Sequence, residues 1–99
     1  MISDKDKRWF RRILKEWREF KITLTDAELR LVKRTKRCLL RMFGDENEFF
    51  TEFLTIINKL HDVDFHPFEL GAYDEMDKWE NINKEILEHL EKINNKINV

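Results

Sequence analysis

The chain holds one cysteine, one proline and two glycines in 99 residues, and no long apolar run. Each shortage removes a class of protein. A lone Cys38 cannot close an intrachain disulfide, which excludes the stapled small scaffolds and fits a reducing compartment. No stretch approaches the roughly 20 apolar residues that span a bilayer. The opening residues Met1, Ile2, Ser3, Asp4, Lys5 and Asp6 lack the apolar stretch of a secretion signal. A cytoplasmic protein that makes no membrane contact is expected. With so few chain breakers, long helices joined by short turns are the simplest reading.

What is present suits that reading. The chain is 41% hydrophobic, with three Trp and eight Phe, enough to pack one core without staples. Charged residues make up 39%, the mark of amphipathic helices with charged outer faces. A single domain over residues 1–99 is expected. Ile, Asn and Lys crowd residues 84–99, a bias that points to an AT-rich genome such as that of a low-GC bacterium or its phage.

Start and stop signals divide the chain into four helices. The first is expected over about 4–20, opened by Ser3 with Asp6 three residues on. Trp9, Phe10, Ile13, Leu14, Trp17 and Phe20 form its apolar stripe, and Arg8, Arg11, Arg12, Lys15 and Arg18 lie opposite. The second opens on Thr25 as N-cap, with Glu28 completing a capping box and Leu24 and Leu29 a hydrophobic staple. Its core face holds Leu31, Val32, Thr35, Cys38, Leu39, Met42 and Phe43, and Gly44 is the left-handed stop.

The third helix is expected at once, capped by Asp45 with Glu48 following, so that the second and third form an antiparallel hairpin over a two-residue junction. Phe49, Phe50, Phe53, Leu54, Ile56, Ile57 and Leu60 are its apolar face. Residues 61–73 read as a loop that folds over the end of the core, broken by Pro67 and Gly71. The fourth helix is expected over about 74–98, with Met76, Trp79, Ile82, Ile86, Leu90, Ile93 and Ile97 at three- and four-residue steps. The fold class is therefore all-α: a small bundle of three to four main helices around the hairpin, with a long C-terminal helix.

Charge is split between the halves. Residues 1–43 carry 14 Lys or Arg against 6 Asp or Glu, a net of +8, and residues 45–99 carry 5 against 14, a net of −9. The sharpest feature is on the second helix, where Arg30, Lys33, Arg34, Arg37 and Arg41 fall within an arc of about 100° that no acid interrupts. Like charges at these spacings cost a few tenths of a kcal/mol per pair, so such a face favours a negative neighbour. Three neighbours would serve. One is the chain's own acidic half, where Glu46, Glu48, Glu52, Asp77, Glu80, Glu88 and Glu91 are expected to project outward. Another is a phosphate backbone. The third is an acidic protein surface, or the acidic half of a second copy.

Sequence-specific DNA reading fits poorly. The two-residue junction is short for a helix-turn-helix, the third helix exposes Glu46, Glu48 and Glu52, and the basic arc lacks Asn, Gln or Ser for base contacts. The cluster His61, Asp62, Asp64 and His66 has metal-ligand residue types without the helical spacing that presets a site, so no metal is expected. Cys38 has Lys36, Arg37 and Arg41 nearby, which favours a thiolate, but packing as a small hydrophobe is the simpler role. Trp9, Trp17 and Trp79 are expected in the core, while Phe10 and Leu14 could extend past it and form a partner groove. No phosphate loop, nucleophile elbow or paired-carboxylate pattern is present, so no catalytic residue, cofactor or enzyme activity is expected.

The expectation that follows is a non-catalytic regulatory or inhibitory interaction protein, of phage or mobile-element type. It would dock an acidic partner surface through Arg30, Lys33, Arg34, Arg37 and Arg41 together with Arg8, Arg11, Arg12, Lys15 and Arg18. The alternative is a small nucleic-acid-binding protein making sequence-independent phosphate contacts through the same face. A homodimer built on the fourth helix's seam is a third arrangement.

Overall fold

The computed structural model describes residues 2–19, 26–59 and 72–97, without the side chains of 26–28 and 72–77. These residues form four helices and no strand: α1 (Asp4–Glu19), α2 (Asp26–Phe43), α3 (Glu48–Asn58) and α4 (Ala72–Ile97). Each helix packs on two others, α1 on α2, α2 on α3, α3 on α4, and α4 back on α1, so the four close a ring. Asp6 meets Arg41 and Glu16 meets Arg34, so α1 and α2 run antiparallel. Lys59 meets Glu85 and Glu52 meets Lys92, so α3 and α4 do as well. The expected all-α bundle with a long last helix is the fold.

The helix ends show which start signals act. Ser3 Oγ accepts the Asp6 amide at 3.1 Å and the Ser3 carbonyl accepts that of Lys7 at 3.0 Å, so the expected cap of α1 forms. Gly44 closes α2 at φ +84°, in the left-handed region that residues with a Cβ avoid, and its amide donates to Leu40 O at 2.8 Å. The start of α3 departs from expectation. Its N-cap is Asn47, with φ −75° and ψ 142°, whose Oδ1 accepts the Phe49 amide at 2.8 Å. Asp45 lies in the turn before it, and the link between α2 and α3 is four residues long, 44–47, rather than two. At the other boundary, Ala72 and Tyr73 belong to α4 rather than to the loop expected there. The proposed caps Thr25 and Glu28, the staple residue Leu24, and Phe20, Leu60 and Met76 fall outside the described residues or side chains.

The core is assembled from one stripe of each helix. Phe10, Ile13, Leu14 and Trp17 from α1 meet Leu31, Val32, Cys38 and Leu39 from α2, Phe50 and Phe53 from α3, and Trp79, Ile82, Ile86, Leu90 and Ile93 from α4. Full burial of one such aliphatic or Phe side chain contributes about 1.5–3 kcal/mol. Phe10 and Leu14 are buried, so they do not form the partner groove expected of them: the α1–α2 and α1–α4 contacts consume that flank. Trp9, expected in the core, is only half-buried at its margin. Two polar residues, Thr35 and His89, are buried among the described residues. Thr35 accepts the Trp17 indole N–H at 2.9 Å and donates back to Leu31 O at 2.7 Å, so its hydroxyl is satisfied on both sides. His89 is the other, and lies between α3 and α4.

Candidate docking surface

The ring order decides where each cation of α2 points. α1 lies along one flank of α2 and α3 along the other. Arg34 and Arg41 turn toward α1. Both terminal nitrogens of Arg34 contact the Glu16 carboxylate, at 3.1 and 2.8 Å, a two-point contact that fixes the planar group. Arg41 Nε lies 3.1 Å from Asp6 Oδ1. Arg30, Lys33 and Arg37 occupy the outermost line of the helix, are exposed, and make no ion pair among the described residues. The 100° arc is thus split into a neutralised flank and an outer line of three cations.

On α1 the five candidate residues Arg8, Arg11, Arg12, Lys15 and Arg18 also separate. Arg18 crosses to α4, where it holds the Glu91 carboxylate through Nε at 2.6 Å and a terminal nitrogen at 2.8 Å. This contact pushes the Glu91 carboxyl below its ordinary value and the Arg18 guanidinium above its own. Arg8 and Arg11 each donate Nε to a backbone carbonyl one turn back, Asp4 O and Lys7 O, both at 3.4 Å. Arg12 and Lys15 are exposed. The ten basic residues therefore do not share one face.

The source of neutralising charge differs from expectation in a specific way. The carboxylates that meet α2's arc come from α1, in the basic half, and not from the acidic half. The acidic half largely serves itself and α1: Glu85 takes Lys59 at 2.8 Å, Glu52 lies 3.8 Å from Lys92 and faces His89, and Glu91 takes Arg18. Between Leu29 and Phe43 there are six Lys or Arg and no acid, so α2 has no carboxylate of its own to offer there. With a four-residue link, junction length no longer argues against a helix-turn-helix. The exposed acids Glu46 and Glu48 still do.

A feature outside the charge pattern adds to this surface. Among the described residues, Leu29 and Leu40 are the large hydrophobics left most open to solvent, at 37% and 43% exposure. Eleven residues apart at 100° per residue, they stand within about 20° of one another on the helix wheel and roughly 16 Å apart along it. Lys33 falls between them on the same face. Leu29, whose expected staple partner Leu24 lies outside the described residues, stands beside the cations. The signal was available in the sequence, because both leucines project beside the basic arc rather than on the core stripe.

Two other candidates resolve. Cys38 is fully buried with Sγ 3.6 Å from Met42 Sδ, and burial pushes its thiol up to about 12, helped by the Asp6 carboxylate and opposed by Arg41. It packs, as expected, and burial disfavours its thiolate at neutral pH. His61, Asp62, Asp64 and His66 lie outside the described residues, and among the described residues no His, Cys, Asp and Glu cluster could hold a metal. No described helix is long and apolar enough to cross a membrane.

His89 went unnoticed in the sequence because it sits at the edge of α4's apolar seam. Its Nε2 lies 2.8 Å from Phe49 O, which can only accept, so that nitrogen carries the hydrogen. Nδ1 faces Glu52 at 3.4 Å. The ring thereby ties α4 to the first turn of α3.

Comparison of the chain with protein-family models, with curated proteins and with solved structures finds no match.

Proposed function

We propose that this chain is a non-catalytic interaction protein that docks an acidic surface of another protein on the outer face of α2. One observation carries the reading: Arg30, Lys33 and Arg37 form an uninterrupted line without ion pairs among the described residues, beside two exposed leucines in register. Cations supply steering and discrimination, while desolvated apolar anchors supply most of the affinity of a protein contact. A phosphate backbone would use the charges and leave Leu29 and Leu40 without a counterpart. The complementary partner is an acidic helix or sheet edge that carries apolar residues at a matching interval. Regulation or inhibition of that partner is the role such a small domain fulfils, since binding alone suffices for it.

Two variants test this. Arg30→Gln with Lys33→Gln and Arg37→Gln removes the charge, and Leu29→Ser with Leu40→Ser removes the anchors. Each changes exposed side chains only, so folding is checked by circular dichroism. Affinity capture from the source cell should recover an acidic protein that both variants lose, with binding weakened by salt. A captured polyanion, or a captured protein that the leucine variant retains in full, would contradict the proposal. A salt-sensitive shift of DNA or RNA that survives Leu29→Ser and Leu40→Ser would establish phosphate binding instead.

A further inference from the structure

A cleft opens between the start of α1 and the end of α2, away from the outer line of Arg30, Lys33 and Arg37. It encloses about 560 Å³ and is lined by Lys5, Asp6, Arg8, Trp9, Arg12 and Arg41. That volume falls within the range of small-molecule sites. Its lining does not resemble an ordinary surface dimple. Four cations line it against one carboxylate, and that carboxylate is engaged, with Asp6 Oδ1 3.1 Å from Arg41 Nε. The Asp6 side chain is 14% exposed while that of Arg41 is 61% exposed, so the pair is sealed on the acid's side and open on the guanidinium's. Arg8 is steadied from below by its Nε contact with Asp4 O, which leaves its two terminal nitrogens uncommitted there. Trp9, the one tryptophan not fully enclosed, supplies an aromatic wall.

We infer that this cleft binds a small phosphorylated ring compound of the nucleoside polyphosphate class. Clustered guanidinium forks match phosphate oxygens with paired hydrogen bonds. A flat ring stacks on an indole or between it and an arginine plane, as bases do on aromatic side chains in single-strand binders. A bare anion would satisfy the cations and leave Trp9 unused, and an apolar ligand would leave Lys5, Arg8 and Arg12 without a counter-charge. The site lies apart from the docking face, so it stands or falls independently of the proposed partner.

Titration of the full chain with ATP, inorganic pyrophosphate and adenosine tests the assignment, read by calorimetry and by the Trp9 indole N–H resonance. ATP should bind saturably and move that resonance, pyrophosphate should bind about tenfold more weakly, and adenosine more weakly still. Arg8→Gln with Arg12→Gln should weaken ATP about tenfold or more. Trp9→Leu should erase the difference between ATP and pyrophosphate while leaving pyrophosphate binding in place. The Arg30, Lys33 and Arg37 variant serves as control and should bind ATP as the native chain does. Equal affinity for ATP and pyrophosphate in the native chain, or ATP binding that the control loses and the cleft variants keep, would overturn the assignment. So would absence of binding to all three at low salt.

Discussion

Cys38 is the residue whose neighbours along the chain mislead most. Lys36, Arg37 and Arg41 surround it in sequence, and a thiol beside three cations would be expected to ionise easily. In the fold, Lys36 and Arg37 are exposed while Cys38 is fully enclosed, and the charges that act on it are Asp6 and Arg41, which oppose each other. Burial decides the outcome and raises the thiol from its ordinary 9.0 to about 12. The sign follows from proton linkage. The unfolded chain loses this proton first, so folding stability from the neutral thiol is complete below about pH 9. It declines as pH rises through the window from about 9 to about 12. Native protein should therefore lose stability across that window more steeply than Cys38→Ala does, measured as the urea midpoint against pH. Parallel curves for the two would show that the thiol is not held neutral by the fold. At pH 8, alkylation of Cys38 should proceed only at the rate of unfolding.

The link between α2 and α3 separates what is legible at the level of elements from what is not. Gly44 was readable because a single residue type suits a left-handed stop, and it stands at φ +84° with no atom crowding the position. The cap was misassigned because Asp45 and Asn47 are both good N-cap residues, and Asp45 has the stronger local pattern with Glu48 three residues on. What selects Asn47 is tertiary. Starting α3 at Glu48 puts Phe50 and Phe53 into the core and sets Phe49 against Phe43, with ring centroids 5.2 Å apart. The consequence is measurable. Asn47→Ala should destabilise by about 1 kcal/mol, whereas Asp45→Ala should stay within about 0.5 kcal/mol of native, as an exposed turn position does. The reverse order in urea denaturation would restore Asp45 as the cap. The basic arc shows the same division. Helical projection gave its position and its freedom from acids, because both depend on one helix alone. Which flank meets α1, and hence that Arg34 and Arg41 are neutralised while Arg30, Lys33 and Arg37 are not, depends on the ring order, which no local pattern encodes.

At the scale of the whole molecule, the net of +8 on residues 1–43 and −9 on residues 45–99 is bridged where α1 meets α4, by Arg18 and Glu91. The pair is half exposed on both sides, so its attraction is modest and screened by salt. At neutral pH the halves attract, and salt should lower stability slightly. The Glu91 carboxyl is held below its ordinary value by the Arg18 hydrogen bond, so its contribution is complete above the ordinary carboxylate range and is lost as pH falls through the lowered value. Once pH has fallen through the lowered Glu91 value that bridge is lost, and 19 Lys and Arg repel one another, with α1 and α2 the most crowded. Salt then screens repulsion and should raise stability. The salt effect should thus change sign between pH 7 and pH 3, read as the urea midpoint with and without added sodium chloride. Glu91→Gln should flatten the acid limb where the Glu91 contribution is lost and reduce the salt effect at pH 7. A salt effect of one sign at both pH values would mean that the two halves do not hold each other through charge.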